Sequence, residues 1–262
     1  MRADVIDLRD FYASPLGESA RRQIGRRVRE MWPDTRGERV LGLGYAVPYL
    51  ATFLGEADRV LAVMPPSQGV LRWPARGPNL AMLADETELP LPDQSIDRIL
   101  LVHGLEGLEQ TTAALREIWR VLTDSGRLLI VVPNRRGLWA RLERSPFASG
   151  RPYSSGQLDA LLRANLFTPG ARAGALFMPP SRSTMTQSAG GVIERVGPRW
   201  APGLAGVLLA EASKQIHALP LSREARRARL KAPQVALPGL RPGAVAAEHR
   251  RLGLEPGPRL VR

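Results

Sequence analysis

Five short apolar runs, each stopped by turn or breaker residues, constrain this chain most. They are Arg39–Leu43, Arg59–Val63, Asn79–Leu83, Ile99–Val102 and Arg127–Val132. A strand with one wet face alternates apolar and polar residues. A run that is apolar throughout is covered on both faces, as in a parallel sheet between layers of helix. The segments between the runs support this. Leu105, Leu108, Leu115, Ile118, Trp119 and Leu122 share one helical face over 105–122. Residues 14–32 read as an amphipathic helix opened by Ser14-Pro15, with Ile24, Val28 and Met31 on one side. Pro48–Leu54 and Ser154–Leu166 read as further helices, and Thr123-Asp124-Ser125-Gly126 as a turn. Ala171–Phe177 and Gly206–Ile216 read as strands, and Met185–Val196 as a helix. The expected fold is a doubly wound, mostly parallel α/β sheet with helices on both faces and right-handed crossovers. Ligands on such sheets bind at the carboxyl ends of the strands.

The first run enters a glycine-containing turn, Gly42-Leu43-Gly44-Tyr45-Ala46, followed by a helix-compatible stretch. That order places backbone N–H groups at a helix start, where they can face a ligand. The same glycines also serve plain close packing of strand on helix.

Composition excludes several chemistries. The chain has no cysteine, so disulfides, thiolate metal sites and cysteine nucleophiles are absent. Its three histidines, His103, His217 and His249, are far apart in sequence, so no metal is expected. No run of 18 apolar residues occurs, and the first ten residues lack the apolar centre of a signal peptide, so a cytoplasmic protein with no membrane contact is expected. The net charge is +12 and uneven: from Ala218 onward ten basic residues face three acidic ones, leaving +7 there and +5 on residues 1–217. Residues 218–262, rich in Pro, Arg, Ala and Gly, read as a disordered basic tail on a domain spanning 1–217. Such a tail suits contact with a polyanion or an acidic protein, or is simply a solvated arginine-rich end.

The most specific stretch is Leu83-Ala84-Asp85-Glu86-Thr87-Glu88-Leu89-Pro90-Leu91-Pro92-Asp93-Gln94-Ser95-Ile96-Asp97. It resembles the acidic loop of class I S-adenosylmethionine-dependent methyltransferases of the type 11 group. The order of the other elements resembles them too: glycine turn, second strand, this loop, a strand ending Leu101-Val102-His103, then His103-Gly104-Leu105-Glu106 like the His-x-Leu-Glu motif of part of the family, a helix ending Trp119-Arg120-Val121-Leu122, and a strand ending in Pro-Asn. The resemblance covers about 38–136, weakens over 137–217 and is absent beyond. It implies a seven-stranded Rossmann-like sheet, S-adenosylmethionine as cofactor, and methyl transfer to an acceptor it does not identify. It implies that Gly42, Leu43, Gly44 and Tyr45 form the cofactor turn, with Met64 at the end of the second strand. Asp85 would accept a hydrogen bond from the adenine amine, which suits an acceptor-only carboxylate, and Glu86 would contact the ring through its backbone. Val102 and His103 would line the cofactor. His103, as a catalytic residue, could deprotonate the acceptor, or it could be a packed core histidine. Tyr12, Asn134 and Tyr153 are further candidates on the acceptor side.

The chain also departs from the family. Gly42 stands where the first strand usually ends in an acidic residue. Ala46 and Pro48 replace two turn glycines. Met64 stands where a carboxylate usually binds the ribose hydroxyls, and a thioether cannot replace it. Two readings follow: an enzyme in which another carboxylate contacts the ribose, or a fold that has lost catalysis and serves as a binding partner.

Overall fold

A computed structural model describes residues 3–141, 145–178 and 204–215. Residues Met1–Ile216 form one compact unit. In chain order its elements are α1 (Val5–Ala13), α2 (Pro15–Met31), β1 (Arg39–Gly44), α3 (Val47–Leu50), β2 (Arg59–Met64), β3 (Ala81–Leu83), β4 (Ile96–Val102), α4 (Thr111–Val121), β5 (Leu122–Pro133), α5 (Ser155–Ala164), β6 (Phe167–Ala175) and β7 (Val207–Lys214). The seven strands form one sheet in the order β3-β2-β1-β4-β5-β7-β6. The first five are parallel, and β7 runs antiparallel to both β5 and β6. Strand order reverses between β1 and β4, so the carboxyl ends of those two strands flank the switch point where such sheets bind ligands.

The central strands read as continuous apolar runs because both faces are covered. Val40, Ala62, Leu100, Val102, Leu129 and Val131 pack with α1, α2 and α3 on one face. Leu41, Leu43, Val63, Ile99, Leu101 and Ile130 pack with α4 and α5 on the other. Helix α2 buries Ala20, Ile24 and Val28, as its periodicity predicts. Its first turn is capped by the Ser14 side chain, which accepts from the Gly17 N–H at 3.1 Å. At its end Trp32 is fully buried and donates to Glu211 on β7 at 2.9 Å.

Several elements differ from the sequence expectation. Helix α1 was not expected. Its signals are the Asp4 cap, which accepts from the Ile6 N–H, and the buried positions Val5, Leu8 and Tyr12 at helical spacing. The helix expected over 105–122 begins only at Thr111. Gly104 and Gly107 leave a separate 3-10 turn, Leu105–Gly107, before it. The turn expected at 123–126 is a bulge within β5. Pairing with β4 jumps from Ile96 opposite Leu122 to Arg98 opposite Arg127, so the extra residues leave the ladder. Strand β6 starts earlier than expected, at Phe167. It is an edge strand, and its Pro169 sits at a register shift, where a missing N–H costs little. The helix expected at Met185–Val196 and the tail from residue 218 lie outside the described residues. No helix among the described residues is long and apolar enough to cross a membrane.

Candidate functional site

The carboxyl ends of β1 and β4 meet closely. Tyr45 N–H donates to the Val102 carbonyl at 2.8 Å. Gly44 has φ +74°, and a Cβ added there would lie 2.4 Å from the Val102 oxygen and 3.2 Å from the Gly104 Cα. Only glycine satisfies both the left-handed backbone and the contact. At Gly42 a Cβ would lie 2.4 Å from the Leu50 side chain and 2.9 Å from the Ala46 Cβ. The position of the family's acidic residue is therefore filled by apolar packing from α3. Leu43 is buried against the opposite face of the sheet.

An aromatic roof closes this end. Tyr12 of α1 stacks on Tyr45, with ring centroids 5.8 Å apart, and meets Tyr49 edge-on at 6.0 Å. The Tyr12 hydroxyl lies 2.8 Å from the Tyr49 hydroxyl and 2.8 Å from His103 Nε2. His103 Nδ1 lies 3.5 Å from Glu106 Oε1. A carboxylate needs a donor, so the arrangement with every role filled puts the imidazole proton on Nδ1. Nε2 then accepts from Tyr12, whose oxygen accepts from Tyr49. Burial pushes the Tyr12 and Tyr49 hydroxyls well above the ordinary tyrosine range and Tyr45 up to about 12, so all three stay neutral donors. His103 also packs on Phe147 at 4.8 Å and has φ +49°, uncommon for a side-chain-bearing residue. Gln68 closes the roof from the loop after β2: its Nε2 donates to the His103 carbonyl at 3.0 Å, and its own carbonyl accepts from the Val5 N–H of α1 at 2.8 Å.

Beside this closed end lies an open cleft of about 730 Å³, bordered by Ser67 after β2, Asp85–Thr87 after β3, Glu106–Gln110 after β4, and Gly150 and Arg151 after β5. The acidic loop that forms one wall is held by α4. Glu117 accepts from the Leu89 N–H at 2.8 Å, and Arg120 donates to the Leu89 carbonyl at 3.1 Å and to Asp93 at 2.5 Å. Within the loop, Asp85 Oδ1 accepts from the Thr87 N–H at 2.7 Å and from its hydroxyl at 2.6 Å. Those bonds hold the Asp85 carboxyl below its usual range and leave Oδ2 uncommitted at the cleft. Glu106 differs from its neighbours: it is buried, and its Oε2 has no hydrogen-bond partner.

The structure thus groups the sequence candidates into two sets. Gly44, Tyr45, Val102 and His103 meet under α1, while Asp85 and Glu86 border the cleft. Met64 is fully buried at the end of β2, opposite Leu83, so its side chain is core. Tyr12 joins the first set. Asn134 donates to the Ala205 carbonyl at 2.7 Å and bridges to Tyr153 through the backbone, which ties β5 to its neighbours. Sequence reading did not single out Gln68, and it gave Glu106 a place in the His-x-Leu-Glu motif but no role. Glu106 carried a signal, as an acidic residue three positions after His103 at a strand end. No group of three or more potential metal ligands occurs among the described residues.

Comparison with known proteins agrees with this layout. Residues 41–130 match a family model described as a methyltransferase domain. A probable S-adenosylmethionine-dependent methyltransferase of Mycobacterium tuberculosis is 30% identical over 178 residues, covering 64% of this chain and 64% of that protein. A demethylmenaquinone methyltransferase of Thermus thermophilus is 27% identical over 136 residues, 51% of this chain and 54% of that one. The chain therefore spans less than two thirds of the length of these curated relatives. Among solved structures, S-adenosylmethionine-dependent methyltransferases of Thermotoga maritima and Mesorhizobium loti share the fold. Their TM-scores are 0.55 and 0.52 at 18% and 17% identity, covering 80% and 72% of this chain and 96% of each of theirs.

Proposed function

We propose that this chain is a class I S-adenosylmethionine-dependent methyltransferase that binds S-adenosylmethionine in the cleft between Asp85 and Arg151 and transfers its methyl group to an acceptor. The observation that carries the reading is the pairing of an open, acidic cleft with the glycine turn at the same sheet edge. The residues fit the cofactor at its nucleoside end. Asp85 has an oxygen available for the adenine amine, and buried Glu106 has an oxygen in need of a donor. When bound, the cofactor supplies an electrophilic methyl on a sulfonium. The protein's work is then mostly alignment and exclusion of water, which needs no catalytic dyad. Asp85 and the Glu86 backbone orient the adenine, and the segment Glu106–Gln110 lines the facing side of the cleft.

His103 is better suited to positioning than to proton transfer. Its Nε2 is engaged by Tyr12, and its Nδ1 carries the proton that faces Glu106. Taking a proton from an acceptor would break the contact that holds α1 over the turn. His103 thus holds the roof in place through Tyr12.

Calorimetric titration of the full chain with S-adenosylmethionine and S-adenosylhomocysteine tests this function. One-to-one binding, with the two ligands competing, is expected. No heat near millimolar ligand would remove the enzyme reading. The charge excess after Ala218 supports a polyanion contact by the tail. A chain ending at His217 should lose salt-sensitive binding to RNA, and unchanged binding would exclude that contact.

A further inference from the structure

Both positions where the family places a carboxylate near the cofactor are apolar here: Gly42 is filled by Leu50, and Met64 is sealed in the core. One carboxylate at the same sheet edge is nevertheless buried without full compensation. Glu106 is 8% exposed; among the described residues its Oε1 has only the long 3.5 Å approach of His103 Nδ1, and its Oε2 is shut off from water with no hydrogen-bond partner. A buried carboxylate oxygen left unpaired is costly, so its persistence suggests a partner that arrives later. Asp85 and Glu109 along the same cleft are exposed and do not raise this question. The Glu106 backbone is pinned as well: its carbonyl accepts from the Arg151 N–H at 2.9 Å. That leaves the carboxylate torsion as the free variable, and this terminal torsion is soft.

We infer that Glu106 replaces the missing second-strand carboxylate and accepts the ribose hydroxyls of the cofactor. The inference rests on the methyltransferase reading. The position favours the ribose over the methionine ammonium. The cleft that Glu106 borders includes Ser67, just past the end of β2, and Asp85–Thr87 of the acidic loop, but no residue of the glycine turn. Its open space is the nucleoside end. A vicinal diol offers two O–H donors, which matches a carboxylate with one empty oxygen and one weakly engaged oxygen. His103 Nδ1, 3.5 Å from Glu106 Oε1, then helps to orient the carboxylate.

The test is calorimetric titration of wild type, Glu106→Gln and Glu106→Ala, as full chains, with S-adenosylhomocysteine, its 2′-deoxyribose analogue and S-adenosylmethionine. Both substitutions remove a buried charge, and circular dichroism checks that each variant folds. Wild type should prefer the ribose ligand to its deoxy analogue. Both variants should bind S-adenosylhomocysteine roughly tenfold to hundredfold more weakly and lose that preference. Variants that bind both nucleosides as wild type does would overturn the assignment and leave the enzyme reading intact. A loss seen with S-adenosylmethionine but not with S-adenosylhomocysteine would place Glu106 on the sulfonium and overturn it too. A wild type that binds none of the three would remove the enzyme reading and the inference with it.

Discussion

At the glycine-turn end of the site, Tyr12, Tyr45, Tyr49 and His103 are all buried and joined by stacking and hydrogen bonds. At the acidic-loop end, three residues beyond Glu106, the walls are open and Asp85 and Glu109 meet solvent. The first end is built like a core and takes its order from packing. The second is built like a surface loop and takes its order from Glu117 and Arg120 beneath it. Ligand affinity should therefore be tunable at the open end with little change in stability. Changes at the closed end should act through the fold.

Four experiments bear on that contrast, from the largest expected effect to the smallest. Gly44→Ala places a methyl on a left-handed backbone against the Val102 carbonyl, and should destabilise the domain by about 3 kcal/mol or more, read as a lower denaturation midpoint. A near-neutral result would mean that the turn is looser than its contacts indicate. Alkaline pH should come next. The folded state raises Tyr12, Tyr45 and Tyr49 above the value of an unfolded tyrosine, Tyr45 to about 12. Stability from keeping them neutral is fully present below about pH 10, the unfolded value, and is lost as pH rises through the folded values. Absorbance at 295 nm should show these rings titrating together with unfolding, and smooth titration of a folded chain would contradict a sealed roof. Tyr12→Phe leaves Tyr49 and His103 Nε2 without their shared partner. It should cost about 2 kcal/mol and speed amide exchange in α1. Exchange in α1 that matched wild type would sever the link between hydroxyl and lid. Asp85→Asn, at the open end, should shift the melting midpoint least, because the changed group is exposed. It should still weaken S-adenosylhomocysteine by about tenfold if Asp85 accepts from the adenine amine as proposed, since the substitution replaces an acceptor-only oxygen. A large loss of stability with intact binding would reverse the contrast between the two ends.

The open end was the more legible in sequence. The Asp85 loop is a contiguous pattern of turn-forming residues, and its short-range bonds to Thr87 follow from the residues themselves. The closed end was not legible, because its partners are 37 and 91 residues apart. Tyr12 drew notice only as an acceptor-side residue, and the helix that carries it was missed. Glu106 was legible only as the end of a His-x-Leu-Glu motif with no role attached, since burial and an unpaired oxygen are tertiary facts. The expected 123–126 turn and the late start of α4 fall between these cases. Turn residues and glycines mark a break in regular structure, but the pairing partner decides whether the break becomes a loop or a bulge.

What the sequence determined by itself was the parallel sheet and its connection order. Unbroken apolar runs leave few other ways to bury both faces, and glycine at Gly44 opens a turn that few other residues could form. Tertiary structure alone decided which acids are charged surface and which is a buried acceptor. It also placed Leu50 in the space that a carboxylate at Gly42 would need and laid α1 over the turn. Those outcomes depend on how distant side chains divide a fixed volume, and local propensity carries no record of that.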